Sequence, residues 1–242
     1  MMDAYTHLDM SAPDPIDDLE HRMDAAGVQR ALVVETWAKD NRVCLSNLLA
    51  SPPTRFRVAL CFRPEEDLKS EVLRSNVFCA LRVRTSDIQA LGTYAEELRA
   101  NGKWLLPHSE AGIGELAKEL VLLAQRLPGL KIYLPHLCWP RHGGSEDREW
   151  YESVSQLGLL QNTVAGVSAI AHFSREPFPH NDVEPYAAHL LKTFGSESLL
   201  AGSDYPLCEK DKYGEYMQLA AKWIGSEGER SGSAESALWG SV

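Results

Sequence analysis

Short apolar runs alternate along the chain with segments whose apolar residues recur every three or four positions. The short runs are typical of buried strands, and the longer spacing is typical of helices that bury one face. The strands predicted in this way span residues 3–8, 30–36, 56–62, 77–83, 104–108, 131–136, 163–170 and 198–203. The predicted helical stripes begin near Ile16, Leu91, Ile113, Val183 and Tyr216.

This alternation predicts an α/β fold, a compact (β/α)8 barrel formed as a single domain over residues 1–242. The rival is a doubly wound open sheet, but neither GxGxxG nor GxxxxGK[ST] follows the first strand. The helix after residue 182 is expected to begin at an N-cap formed by Asn181 or Asp182 and to end at Gly195. Residues 225–236, which are rich in Gly, Ser, Glu and Arg, are predicted to form a surface loop.

The composition narrows the function classes. A net charge of −10 makes nucleic acid and anionic membranes poor partners. No apolar run approaches the ~20 residues that a membrane-spanning helix needs. The five cysteines are scattered and form no CxxC pair, so we expect neither disulfides nor a thiolate zinc site, and a reducing cytoplasm fits best.

The candidate chemistry lies at the ends of the predicted strands, because barrel enzymes place their active sites at the carboxyl ends of the strands. Alternate strand residues share a face, which gives Asp3, Tyr5 and His7, then Arg82 and Arg84, His108, His136, Ser168, Ile170 and His172, and finally Asp204. A lone histidine at a strand end is usually structural. Several histidines that converge on one mouth favour a functional cluster.

These residues stand in motifs that resemble the amidohydrolase superfamily, and most closely its family 2 branch. This branch includes pyrone-dicarboxylate lactonase-like hydrolases and aminocarboxymuconate-semialdehyde decarboxylase-like enzymes. Residues 3–7, DAYTH, resemble the opening DxHxH motif of the family. Residues 127–136 resemble its sixth strand with a terminal histidine, and residues 202–206, GSDYP, resemble its eighth strand.

The resemblance implies that His7, His108 and Asp204 are metal ligands and that His136 is catalytic. Tyr5 replaces the first histidine of the opening motif, and a protonated phenol is a poor zinc ligand. The fourth strand has no lysine, so a binuclear centre bridged by a carboxylated lysine is not expected. Two alternatives stay open, one divalent ion (zinc or manganese) or a metal-free site.

The resemblance also implies hydrolysis of an ester, lactone or amide, with Asp204 activating water and His136 polarising the carbonyl. We expect a small anionic substrate that bears a carboxylate, bound by Arg82 or Arg84 together with Tyr5 and His172, because an arginine fork fits a carboxylate well. The predicted mouth also collects Arg63, His108, His136, Arg141, His142 and Arg175. Alternatively, the arginines pair with Glu35, Asp87 or Glu110.

Two other functions remain open on the same barrel. One is a metal-dependent decarboxylase, and the other is a non-catalytic barrel with a degenerate metal site. A homodimer is also open, because Trp139, Trp150 and Tyr151 could form an interface beside the mouth; they could equally line the pocket or pack beneath a loop.

Overall fold

The computed structural model describes residues 1–37, 39–50, 55–66, 68–141, 147–225 and 233–239. The strands are β1 Met2–Thr6, β2 Arg30–Val34, β3 Phe56–Cys61, β4 Phe78–Arg84, β5 Trp104–His108, β6 Lys131–Leu134, β7 Thr163–Val167 and β8 Leu199–Ala201. The helices are α1 Pro15–Ala25, α2 Lys39–Ala50, α3 Ser70–Arg74, α4 Thr93–Ala100, α5 Ile113–Arg126, α6 Arg148–Leu157, α7 Ile170–Phe173, α8 Glu184–Phe194, α9 Tyr213–Trp223 and α10 Ser233–Trp239. Short 3-10 helices occupy Thr85–Leu91, His136–Cys138, Asn181–Val183, Ser196–Ser198 and Lys210–Lys212.

The strands form one parallel sheet in the order β1 to β8. The sheet curves until its two edges meet. The N–H of Asp204 donates to the carbonyl of Tyr5 over 2.9 Å, and the N–H of His7 donates to the carbonyl of Tyr205 over 2.7 Å. These two bonds join the end of β1 to the segment after β8, and the predicted (β/α)8 barrel is confirmed.

Two apolar layers stabilise this architecture. One layer fills the barrel interior and contains Tyr5, Leu106, Tyr133 and Leu200, together with Trp239 of α10. The other layer lies between the strands and the surrounding helices. Because the interior is filled with side chains, a ligand on the barrel axis would find open space near the ends of the barrel.

The first strand departs from simple alternation. The pairing of β1 with β2 shifts register between Asp3 and Thr6, as a β-bulge does. The carboxylate of Asp3 bonds to the hydroxyl of Ser203 (2.6 Å) and to Tyr213 of α9 (3.0 Å), whereas Tyr5 packs in the barrel interior. The prediction that Asp3, Tyr5 and His7 share a face is therefore wrong for Asp3.

Two local predictions at helix ends are also wrong. The carboxylate of Asp182 accepts bonds from Ser174 and from the N–H of Arg175, so it does not cap α8. Helix α8 instead follows a 3-10 turn and begins at Glu184, although Gly195 ends it as expected with φ 73°. The predicted loop 225–236 overlaps α10 from Ser233 onward, and residues 226–232 lie outside the described residues.

No helix within the described ranges has the length and apolar character to cross a membrane.

Candidate active site

A cavity of about 430 Å³ opens at the carboxyl ends of the strands, and we call it the mouth cavity. Six predicted site residues line it: His7, Arg82, His108, His136, His172 and Asp204. Tyr5 and Arg84 are not among the residues that line it. Its volume lies within the range of about 300–1,000 Å³ that is usual for small-molecule sites.

At this cavity, the carboxylate of Asp204 faces two imidazoles. Its Oδ1 atom lies 3.8 Å from Nε2 of His7 and 3.9 Å from Nε2 of His136. Both distances are too long for direct hydrogen bonds. Oδ1 is buried and has no hydrogen-bond partner among the described residues. An orphaned buried oxygen is costly, so this gap indicates a place where a bound group completes the site.

In each of the two imidazoles, the hydrogen bond made by Nδ1 determines which ring nitrogen carries the proton. Nδ1 of His7 lies 2.6 Å from the carbonyl oxygen of Val34. A carbonyl can only accept, so Nδ1 of His7 donates and its Nε2 presents a lone pair towards Asp204. The hydroxyl of Ser168 accepts from the N–H of His136 (3.0 Å) and lies 3.1 Å from Nδ1 of the same ring.

The Ser168 hydroxyl is fully buried, so its hydrogen needs an acceptor within the protein. Nδ1 of His136 is that acceptor. Nε2 of His136 therefore carries the proton and acts as a donor. The two imidazoles thus carry their protons on different nitrogens. The Asp204 carboxylate faces an acceptor, Nε2 of His7, and a donor, the Nε2–H group of His136.

The titration behaviour of the cluster follows from burial. Burial raises the pKa of Asp204 to about 7, against the effect of the Arg82 charge. Burial lowers the pKa of His7 and of His108 to about 3, and Arg82 adds to both shifts. Burial and Arg82 also hold the pKa of His136 well below its usual range. At neutral pH the imidazoles are thus uncharged, and Asp204 is suited to accept and return a proton.

Arg82 is the buried positive charge of the mouth cavity. It donates to the backbone carbonyl of Glu35 (2.8 Å), and another of its nitrogens lies 3.3 Å from Nδ1 of His108. Its carbon Cζ lies 4.4 Å from the ring centre of Trp37, and Cζ of Arg84 lies 4.2 Å from the same ring. No carboxylate of the described residues forms an ion pair with either arginine, and the Glu35 carboxylate pairs with Arg63 instead (2.9 Å).

The contact with Arg82 also fixes the tautomer of His108. A guanidinium has no acceptor, so Nδ1 of His108 accepts and its Nε2 carries the proton. Nε1 of Trp139, which lines the cavity too, is a buried donor without a partner among the described residues. The lining of the mouth cavity therefore includes four residues with N–H donors, namely Arg82, His108, His136 and Trp139.

A strained turn places two of these donors. Residues 136–139 follow β6 with φ values of 58°, 52°, 57° and 53°. The left-handed region costs a non-glycine residue roughly 1–2 kcal/mol, and such strain persists where the surroundings hold it. The indole N–H of Trp150 donates to two carbonyls of the turn, over 2.9 and 3.1 Å. Asp204 is also left-handed, with φ 59°.

The remaining predicted residues lie in other surroundings. The ring of Tyr5 lies 4.2 Å from that of His136, and its buried hydroxyl has no partner among the described residues. His172 lies on α7 and not on a strand, because β7 ends at Val167 and Ala169 turns the chain with φ 55°.

The other basic residues predicted at the mouth do not all lie at the mouth cavity. Arg141 lines the mouth cavity but pairs with Glu149 at 2.9 Å, and Arg63 lines a separate cavity beside β3. Arg175 is not among the residues that line the mouth cavity, and His142 lies outside the described residues. The positive charge at the mouth is thus carried mainly by Arg82.

The predicted ligand set of His7, His108 and Asp204 does not form a metal centre. Within the described ranges, no group of three or more His, Cys, Asp or Glu side chains is arranged to hold an ion. Nδ1 of His108 is occupied by the guanidinium of Arg82, whose charge opposes a divalent cation beside it. These residues do not fit a metal ion, and no step below uses one.

Comparisons with known proteins agree with the fold and the motifs. Residues 111–231, half of the chain, match the family described as Amidohydrolase, and the chain belongs to this family. An L-fucono-1,5-lactonase of Burkholderia ambifaria is 31% identical over 91 residues, which cover 36% of this chain. The matched region spans 30% of that relative's length.

Several solved structures share the fold. An amidohydrolase from Burkholderia multivorans with bound zinc has a TM-score of 0.75 at 19% identity, covering 99% of this chain and 95% of that one. A Pseudomonas putida protein named as a 2-pyrone-4,6-dicarboxylic acid hydrolase has a TM-score of 0.71 at 19% identity, covering 94% and 98%. Two decarboxylases are also similar, with TM-scores of 0.54 and 0.59.

Sequence reasoning missed two groups of this site. Ser168 was placed on the seventh strand without a role, because nothing in its local sequence connects it to His136. The lone pair that His7 presents depends on its bond to Val34, 27 residues away, and only the closed barrel brings the two together. The strained turn after β6 has no glycine to signal it.

Proposed function

We propose that this chain is a hydrolase that opens the lactone of a small substrate bearing a carboxylate, with Asp204 as the general base. The observation that carries the proposal is the 3.8 Å gap between two buried acceptors, Oδ1 of Asp204 and Nε2 of His7. A water about 2.8 Å from each atom would donate one hydrogen to each of them.

The reaction follows from this placement. The water oxygen attacks the carbonyl carbon of the lactone, and its proton passes to Asp204. The N–H of His136 donates to the carbonyl oxygen and stabilises the negative charge that develops there. The ring C–O bond then breaks, and the protonated Asp204 returns the proton to the departing oxygen. The product is a hydroxy acid, and Asp204 is ready for the next water.

A buried carboxylic acid with a pKa near neutrality suits both steps, because one group must accept a proton and then give it back. His7 keeps its lone pair on the water throughout, since burial opposes its protonation. Tyr5 packs against His136 and holds the ring in place from the barrel interior.

The donors of the mouth cavity support a substrate with a carboxylate. Arg82 has no carboxylate partner among the described residues, and the N–H groups of His108 and Trp139 lie in the same lining. A carboxylate accepts several hydrogen bonds and carries the charge that a buried guanidinium attracts. The names of the lactonase and the dicarboxylic acid hydrolase among the similar proteins favour the same chemistry.

The experiment compares 2-pyrone-4,6-dicarboxylate with L-fucono-1,5-lactone, which lacks a carboxylate, in ¹⁸O-labelled water. We expect ring opening of the carboxylated lactone with one ¹⁸O atom in the product, and much weaker turnover of the uncharged lactone. Release of CO2 without ¹⁸O incorporation would establish a decarboxylase instead. Binding without turnover of any lactone would favour a non-catalytic barrel.

A matched pair of variants tests the carboxylate. Arg82→Gln removes a guanidinium that lines the cavity, and Arg84→Gln removes its neighbour on the same strand, which does not line it. We expect Arg82→Gln to raise KM for the carboxylated lactone by about 10-fold or more, since bonds between charged groups contribute about 1.5–3 kcal/mol. Equal KM values in both variants would contradict the assignment.

A further inference from the structure

A second cavity, of about 280 Å³, lies at the opposite end of the barrel, and we call it the basal cavity. It is surrounded by the amino-terminal ends of β3 to β6 and by α10. The residues that define it here are Arg57, Phe78, Lys103, Trp104, Lys131 and Trp239. None of them belongs to the mouth cavity.

The basal cavity collects positive charge. Arg57, Lys103 and Lys131 line it, and no aspartate or glutamate is among the described residues of its lining. None of the three cations forms an ion pair with a carboxylate of the described residues. This local excess is unusual for a chain whose net charge is −10.

Uncharged partners hold each cation in place. Nζ of Lys103 donates to the carbonyls of Ser75 (2.7 Å) and Phe78 (2.8 Å). Nζ of Lys131 lies 5.5 Å from the ring centre of Trp104. These contacts orient the ammonium groups but leave their charges in place.

Arg57 is held in the same way by an aromatic ring. Its Cζ lies 4.3 Å from the ring centre of Trp239, and Cζ of Arg30 lies 5.0 Å from the same ring. Burial of these cations close to one another disfavours their charged forms. Burial lowers the pKa of Lys103, and the charges of Arg57 and Lys131 add to the shift. Burial and Arg30 likewise lower the pKa of Arg57.

The lining also has donors and flat apolar walls. Two asparagines, Asn76 and Asn101, also line it, and Nδ2 of Asn101 donates to the carbonyl of Glu97 over 2.8 Å. Trp104 has a buried indole N–H without a hydrogen-bond partner among the described residues. A small anion would meet positive charge, N–H donors and aromatic surface together.

We propose that the basal cavity is a second binding site, which takes a small molecule bearing at least two oxyanion groups, phosphate or carboxylate. The ligand would bridge Arg57, Lys103 and Lys131 and offset their mutual repulsion. Because Trp239 of α10 forms one wall, occupancy would also hold α10 against the barrel. The site is distinct from the proposed lactone site at the other end.

The test is calorimetric titration of the full chain with inorganic pyrophosphate and, separately, with citrate. We expect each anion to bind the basal site saturably in Arg82→Gln as well, in which the guanidinium of the mouth cavity is absent. In that background, Lys131→Gln and Arg57→Gln should each weaken binding about tenfold or more, since each removes a charge-assisted contact. Lys118→Gln, an exposed lysine on α5, is the matched control and should change nothing. In Arg82→Gln, tighter binding of pyrophosphate would assign phosphate-bearing ligands to the basal site, and tighter binding of citrate would assign carboxylate-bearing ones.

Two readouts keep the basal site separate from the mouth cavity. Arg82→Gln should leave the basal binding intact, and Lys131→Gln should leave lactone turnover intact. Lys103 is not replaced, because its bonds to two carbonyls are structural. Loss of binding in Arg82→Gln with retention in Lys131→Gln and Arg57→Gln would place the anion in the mouth cavity and overturn the proposal. Absence of saturable binding to the wild-type chain at millimolar anion would overturn it as well.

Discussion

Replacement of Ser168 by alanine removes the hydroxyl that orients His136. The hydroxyl lies 3.0 Å from the backbone N of His136 and 3.1 Å from its Nδ1. Without it, a buried N–H loses its acceptor, and the ring loses the bond that keeps the proton on Nε2. The variant therefore tests whether the tautomer of His136 contributes to turnover.

The magnitude follows from the bonds that are lost. An unsatisfied buried polar group costs about 1–3 kcal/mol. For a chain of this size, 1 kcal/mol corresponds to roughly 2–4 °C in Tm, so we expect Tm to fall by about 2–12 °C. If the same energy is lost in the transition state, kcat falls by about 5- to 150-fold. KM should change little, because the proposed contact between Arg82 and the substrate carboxylate is intact.

The assays are thermal unfolding and steady-state kinetics on the carboxylated lactone. Ser153→Ala, a buried serine on α6 away from the mouth cavity, is the control for a change in stability alone. A Ser168→Ala protein with wild-type kcat at a temperature where it is folded would refute the tautomer argument. A matching loss of kcat in Ser153→Ala would show that stability, not proton position, is responsible.

Three further predictions concern packing, thiols and metal. In Gly202→Ala, the new Cβ would lie 3.0 Å from Cβ of Tyr5, so we expect a loss of about 1–3 kcal/mol in the free energy of unfolding, measured by urea titration. Burial raises the pKa of four of the five thiols. A thiol reagent at pH 8 should therefore label Cys44 quickly and the others only after unfolding; rapid labelling of several would contradict this. Because Arg82 occupies Nδ1 of His108, treatment with a chelator should leave turnover unchanged; one zinc or manganese per chain, lost in His108→Ala, would contradict this prediction.

The strand pattern could be predicted well because each barrel strand is buried on both faces. Residues 104–108 are a strand with the predicted bounds, and the other strands differ from their predicted bounds mainly at the carboxyl ends. There the chain leaves the sheet for irregular turns, such as the left-handed residues after β6. The run of apolar residues continues through the turn, so the sequence pattern does not show where the strand ends.

The candidate site could be predicted as a set of residues but not as a geometry. His7, His108, His136 and Asp204 were expected at one mouth because parallel strands end together. The bulge in β1 depends on its pairing with β2 and could not be read from residues 3–7 alone. The contact between Arg82 and His108, which weighs against a metal ion, joins side chains 26 residues apart and depends on rotamers that a pattern does not specify.

The central claim is that Asp204 activates the water that opens the lactone. The most direct measurement is the single-turnover rate on 2-pyrone-4,6-dicarboxylate for Asp204→Asn and for Glu110→Gln. Glu110 is the other carboxylate among the described residues of the mouth lining, so each variant replaces one lining carboxylate by its amide. The account predicts that Asp204→Asn binds the lactone but does not open it, whereas Glu110→Gln keeps most of its rate. Ring opening by Asp204→Asn at the wild-type rate would contradict it.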